Sequence, residues 1–170
     1  MQDFERVYMR TLRHIYDTEK QLQASALVIA ATVKDLRLAQ ALREIGGQSS
    51  AQLRRIEDIF RVLYLEPTSE AAWPTTALLR EALDTVSSSR NGGTQGCAAA
   101  LLAIKRYEIT LYEALLRWSE QCELDEAIPD IRRSIAEELV QASILSELAF
   151  EAEPAEVPAL TAEDVNALLH

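Results

Sequence analysis

The chain has few residues that interrupt a helix. Its 170 residues include five glycines and five prolines. Nearly half are hydrophobic, and Ala, Leu, Glu and Arg dominate. That balance favours an all-α domain over a fold built from short strands and turns. No run of about 20 apolar residues occurs, so no transmembrane helix is expected. Basic residues are also scarce. Seventeen Lys and Arg face 27 Asp and Glu, a formal net charge of -10. This argues against a general affinity for nucleic-acid backbones and for anionic membranes. The first residues, Met1-Gln2-Asp3-Phe4-Glu5, lack the charged and apolar segments of a signal peptide. A cytoplasmic protein is expected.

Cysteine and histidine occur twice each. Cys97 and Cys122 fall on one helical pattern, about 38 Å apart at about 1.5 Å per residue. A disulfide needs Cα atoms within about 7 Å. Both thiols are therefore expected to pack as small apolar groups. His14 and His170 fall off the core positions of their segments.

Long amphipathic runs fill most of the sequence. The first is expected from about Asp3 to Val33, with Tyr8, Leu12, Ile15, Glu19, Leu22, Ala26, Ile29 and Val33 on its inner seam. Asp35 is an N-cap candidate for the second, which runs to about Tyr64. Its seam reads Leu38, Leu42, Ile45, Ser49, Gln52, Ile56, Ile59 and Leu63. Gly46-Gly47 inside it marks either a kink or close approach of a neighbour. A connection with Pro67 leads to a shorter helix, from about Pro74 to Val86. The Ser/Gly/Asn-rich stretch 87–96 reads as an exposed loop. The third long helix, about 95 to 122, carries Cys97, Leu101, Ile104, Glu108, Leu111, Leu115, Trp118 and Cys122 on its seam. The fourth, from about Glu126 to Glu153, carries Ile128, Ile131, Ile135, Glu138, Ala142, Leu145 and Ala149. Thr161-Ala162-Glu163-Asp164 resembles a capping box for a short final helix.

Four long helices with a long crossover between the second and third give a four-helix bundle of the ferritin-like kind. Residues 1–153 form the bundle, with a short extra helix in the crossover. Residues 154–170 form a linker and a short helix expected to dock through Val165, Leu168 and Leu169.

Glu19, Glu108 and Glu138 each interrupt an apolar seam near the middle of a helix. Midpoints share a layer in such a bundle, so the three carboxylates are expected to converge. Two carboxylates about 4 Å apart repel by roughly 4 kcal/mol at an effective dielectric of 20. Three together need a metal, protons or a basic side chain. Lys105, three residues before Glu108 and on the same face, is a candidate for the last role. Ser49 and Gln52 extend the polar layer. Tyr16, Tyr107 and Tyr112 lie near it and are expected to pack with satisfied hydroxyls. Di-iron bundles use Glu-x-x-His motifs on two helices. No such motif occurs here, and Gln141 stands where its histidine would follow Glu138. An all-oxygen site for magnesium, manganese or calcium needs no histidine. Three readings stay open: a buried Glu–Lys network, residual metal binding, and catalysis.

The stretches Ile15–Leu22, Gln52–Phe60, Tyr107–Tyr112 and Glu137-Glu138 resemble the YciE/YciF family of ferritin-like bacterial stress proteins. The resemblance runs over about residues 3 to 150. It implies a ferritin-like bundle, a homodimer and a stress-linked role with an unknown protein partner. It also implies a degenerate di-metal site. The family pattern has His and Thr where Ile45 and Ser49 stand, Glu at Lys105 and Asp at Ala142. The retained acids are Glu19, Glu108 and Glu138. The expectation is a non-catalytic structural or interaction protein without a cofactor. The alternative is an iron- or manganese-binding oxidoreductase or metal-handling protein that uses the reduced carboxylate cluster.

Overall fold

The computed structural model describes residues 2–88 and 93–150, with side chains from Glu5 onward. The expected final helix, and the boundary between residues 153 and 154, lie outside the described residues. Five helices occur among the described residues: α1 (Gln2–Thr32), α2 (Leu36–Val62), α3 (Trp73–Ser88), α4 (Thr94–Gln121) and α5 (Ile128–Phe150). The described residues contain no strand.

The local signals act where the sequence places them. The Asp35 carboxylate accepts from the backbone N–H groups of Arg37 and Leu38, at 2.8 and 3.0 Å. This satisfies two of the donors that a helix start leaves bare. Pro74 and Pro129 sit in the first turns of α3 and α5, where no intrahelical N–H is lost. The α4–α5 turn is tight, and Glu123 takes a left-handed φ of 56° within it. Gly46-Gly47 does not break α2. Gly46 is buried, and a Cβ there would lie 3.5 Å from that of Ala26, so α1 and α2 approach closely at this point.

α1 packs on α2, and α4 on α5. The two hairpins join through α1 against α4 and α2 against α5, while α3 lies across α1 and α4. This is the ferritin-like bundle with its extra crossover helix. The start of α3 is fastened to α1 by polar contacts. Thr18 and Thr75 share a buried hydroxyl–hydroxyl hydrogen bond of 2.9 Å. The Ala72 N–H donates to Asp17 Oδ2 at 2.9 Å, and Thr76 Oγ1 donates to Gln21 Oε1 at 2.9 Å.

Two apolar clusters fill the interior. One gathers Leu22, Ala26, Ile29, Leu38, Leu42, Ile45, Leu101, Ile104 and Leu145, with Leu79 and Ala82 of α3. The other gathers Tyr8, Leu12, Ile15, Ile56, Ile59, Phe60, Tyr112, Leu115 and Ile131. Each fully buried Leu or Ile contributes about 1.5–3 kcal/mol.

The seams of α1 and α2 run as the sequence spacing predicts, except that Val33 and Leu63, just past the helix ends, are half-buried. That of α4 shifts by one residue after Glu108. Tyr112 and Ser119 are buried, whereas Leu111 and Trp118 are half-buried and Cys122 is exposed. The expectation of a buried Cys122 is therefore corrected. The buried positions 97, 101, 104, 108, 112, 115 and 119 contain two successive steps of four. A strict heptad drifts by about 20° per repeat around a straight helix, and the extra step absorbs that drift. α5 shifts similarly: Ser134 and Leu148 are buried, and Ile128, Ile135 and Ala149 only partly so.

Candidate functional site

A layer of buried polar side chains separates the two apolar clusters. Glu19 comes from α1, Ser49 and Gln52 from α2, Lys105, Glu108 and Tyr112 from α4, and Glu138 and Gln141 from α5. All are at most 1% exposed. Their burial follows from the seam register, which turns these positions inward with the leucines around them. One oxygen from each of Glu19, Glu108 and Glu138 lies within 4.8 Å of the other two. The expected convergence is present.

Lys105 sits among these oxygens. Its Nζ lies 2.8 Å from Glu108 Oε2 and 3.0 Å from Glu138 Oε2. It also donates to Glu138 Oε1 at 3.1 Å. Gln52 Nε2 donates to the same Oε1 at 2.9 Å. Tyr112 donates to Glu19 Oε1 at 3.0 Å. Its hydroxyl is thus satisfied by the polar layer itself. These bonds tie α4 to α5, α2 to α5, and α4 to α1.

The electrostatics follow from one ammonium facing three carboxyls, all shielded from bulk solvent. Burial pushes the Glu19 carboxyl up to about 7, with Lys105 opposing and Glu138 adding to the rise. Burial and the neighbouring Glu138 raise Glu108 well above the carboxylate range, against the pull of Lys105. Burial alone would lower Lys105, but Glu108, Glu138 and Glu19 outweigh it and hold the ammonium charged. Tyr112 is raised by burial and by the three carboxyls, so its hydroxyl keeps its proton. Protons on Glu19 and Glu108 bring the layer closer to neutrality.

Several polar atoms here remain without a hydrogen bond among the described residues. They include Glu19 Oε2, Glu108 Oε1, Gln52 Oε1, Gln141 Oε1 and Ser49 Oγ. Ser49 lies beside Glu19 and favours its ionised form, but without a well-formed bond.

The other candidates lie elsewhere. Tyr16 donates to Glu57 Oε1 at 3.0 Å, away from the layer. Tyr107 is half-buried. His14 Nε2 lies 3.5 Å from Glu70 Oε1. His170 lies outside the described residues. One polar contact next to the layer has no sequence signal. Arg55 of α2 donates through Nη1 and Nη2 to the two oxygens of Glu137 on α5, at 2.8 and 2.7 Å, and through Nη1 to Ser134 at 3.0 Å. Burial alone would raise Glu137, but this fork lowers it. Arg55 and Glu137 look like ordinary surface charges in sequence, because only the packing of α2 on α5 brings them together.

Known proteins share this arrangement of helices. The chain is 24% identical to Protein YciF of Escherichia coli (strain K12) over 152 residues, which cover 88% of this chain and 92% of that protein. The crystal structure of the E. coli stress protein YciF superposes with a TM-score of 0.81 at 23% identity, covering 89% of this chain and 97% of that one. YcfI from Rhodopseudomonas palustris superposes with a TM-score of 0.79 at 22% identity, covering 86% and 95%. A family model described as "Domain of unknown function (DUF892)" matches residues 3–157, and the chain belongs to that YciF-type family of ferritin-like bundles.

Proposed function

We propose that this chain is a non-catalytic, ferritin-like structural or interaction protein of bacterial stress physiology, in which a lysine takes the place of a di-metal centre. The observation that carries the reading is the position of Lys105. A divalent metal binds carboxylate oxygens at about 2.0–2.6 Å. The ammonium already holds oxygens of Glu108 and Glu138 at 2.8 to 3.1 Å. Metal and ammonium would compete for the same atoms and repel each other. Among the described residues the donor set also lacks imidazole, since His14 faces Glu70 at 3.5 Å. These residues do not fit a di-iron centre.

The layer then serves to set helix register. An apolar core tolerates sliding, whereas a misplaced buried carboxylate loses its partner. The stress-linked role rests on the likeness to YciF, described as a stress protein. A homodimer belongs to the same reading. Leu36, Leu139 and Val140 are exposed apolar side chains that a second copy would cover. Light scattering that finds one chain per particle would remove the dimer. The unbridged thiols of Cys97 and Cys122 suit a reducing cytoplasm.

A second reading keeps metal handling. It is favoured by the unpartnered Glu19 Oε2 and Glu108 Oε1 within a cluster of three converging carboxyls. Elemental analysis separates the two. The protein is purified without chelator, then incubated with iron, manganese and calcium in turn. Metal well below one ion per chain is the expected result. One or two tightly held ions per chain, lost in Glu108→Gln, would overturn the first reading and support the second.

A further inference from the structure

The cleft beside the first half of α1 has a charge opposite to that of the chain as a whole. Arg6, Arg10 and Arg13 recur at steps of four and three, which places them on one stripe of the helix. They line a cleft of about 470 Å³ together with Val7 and Glu70. The row runs against the net charge of the chain, in which acidic residues outnumber basic ones by 27 to 17.

Two of the arginines have uncommitted charge. Arg10 is exposed, and no hydrogen bond or ion pair among the described residues holds it. Arg13 is half-buried, and its Nε is fully buried without a hydrogen-bond partner. A buried donor of this kind is seldom left unmet. Arg6 already has an interaction of its own. Among the described residues Glu70 is the one acid in the lining, and its carboxylate faces His14 Nε2 at 3.5 Å. The Tyr107 phenol of α4 lies close enough to feel the charge of Arg10.

The wall opposite α1 is fixed. The Glu70 N–H donates to the Arg13 carbonyl at 3.4 Å, and Ala72 is tied to Asp17. The backbone around the cleft is therefore in place before any ligand arrives, and the ordering left to binding is that of the arginine side chains. The positions from Arg6 to Arg13 span about 10 Å at about 1.5 Å per residue. A single small anion reaches only part of that row. A linear oligophosphate presents charge along its whole length, and guanidinium forks match phosphate oxygens.

We propose that this cleft is a binding site for an oligophosphate chain, held chiefly by Arg10 and Arg13. The chain has two sources: an inorganic oligophosphate, or the phosphates of a nucleotide. The site is local and is compatible with the net acidity of the chain, 27 Asp and Glu against 17 Lys and Arg.

Titration calorimetry on the full chain tests it, with inorganic tripolyphosphate as the first probe and a nucleoside triphosphate as the second, both without magnesium. Saturable binding at one site per chain is expected, weakening with salt. Arg10→Gln is expected to lose about tenfold in affinity or more, as the removal of a charged hydrogen bond implies. Arg10→Gln/Arg13→Gln loses more. Arg54→Gln, at an exposed arginine of α2, binds as wild type. Arg10 is exposed, so its variant stays informative even where the Arg13 change disturbs folding. Equal affinity for the two probes assigns the site to the phosphate chain alone, and tighter nucleotide binding adds a nucleoside contact beside the same arginines. Absence of saturable binding for both probes would overturn the proposal. So would an Arg10→Gln variant that binds like wild type, or an Arg54→Gln variant that loses as much.

Discussion

The polar layer and the apolar clusters on either side of it are equally buried, yet they hold the bundle differently. In the apolar clusters each side chain contributes through the area it removes from water, and neighbours are nearly interchangeable. In the polar layer nothing contributes alone. Lys105 is tolerated because Glu108 and Glu138 surround it, and they are tolerated because of Lys105 and the raised proton affinity of Glu108. The apolar regions supply stability, whereas the layer supplies mutual dependence. A core can carry charge at little net cost only when the charges are satisfied as a set.

The strongest way to break that dependence is Lys105→Met. It strands buried carboxyls, so a loss of about 3–5 kcal/mol is expected in denaturant unfolding. An unchanged midpoint would remove the layer from any structural role. Replacing Lys105, Glu19, Glu108 and Glu138 together by apolar residues of similar size should cost far less than Lys105→Met, and can even stabilise. A joint loss larger than that of the single change would contradict the comparison.

An apolar truncation gives the counterpart. Leu42→Ala, in the cluster shared with α3, should cost about 2–5 kcal/mol. It should do so without altering the pH dependence of stability. A changed pH profile would mean that the two regions are not separable.

The pH dependence itself comes from the layer. The Glu19 carboxyl titrates near 7 in the folded chain instead of at its ordinary 4.5. The folded state therefore favours its protonated form. Its contribution is complete below about pH 4.5 and is lost as pH rises through about 7. Glu108 acts in the same direction. Glu137, lowered by Arg55, acts in the opposite sense: its contribution is lost as pH falls. Glu19→Gln should flatten the decline above pH 4.5 in thermal melts recorded across this range. A slope equal to that of wild type would assign the decline elsewhere.

The smallest expected effect lies outside both regions. Gly47 is exposed on α2, and an added Cβ would meet nothing within 4 Å. Gly47→Ala should stabilise by about 0.5–1 kcal/mol through helix propensity alone. A loss of stability would show that the pair of glycines serves a motion of α2.

How much of this was legible in sequence differs from helix to helix. α1 and α2 carry their seams in regular steps, and the spacing predicts their buried residues except at the last positions, where Val33 and Leu63 are half-buried. α4 and α5 were read with a strict alternation of four and three, and the error grew away from Glu108 and Glu138. A period of 3.5 and one of 3.6 agree near any chosen residue and part a few turns later. Cys122, two turns past Leu115, was placed inside for that reason and lies outside. Gln141 was noted as a substitute for histidine, and the structure buries it one turn from Glu138. The steps of four and three put Arg6, Arg10 and Arg13 on one stripe, but neither the Arg55–Glu137 pairing nor the placement of Glu70 against those arginines had a sequence signal. Single charges on amphipathic helices look alike until their neighbours are known.

The sequence by itself determined that there would be long helices, where they start, and that Glu19, Glu108, Glu138 and Lys105 would face inward. Those are consequences of periodicity, capping and the scarcity of Gly and Pro. The tertiary structure decided which groups meet. Lys105 stands between Glu108 and Glu138, Tyr112 reaches Glu19, Arg55 grips Glu137, and the crossover sets Glu70 beside a row of arginines. The physical reason is that periodicity fixes only the face a side chain occupies. Its partner depends on the register and rotation of a second helix, which are settled by the packing of the whole core.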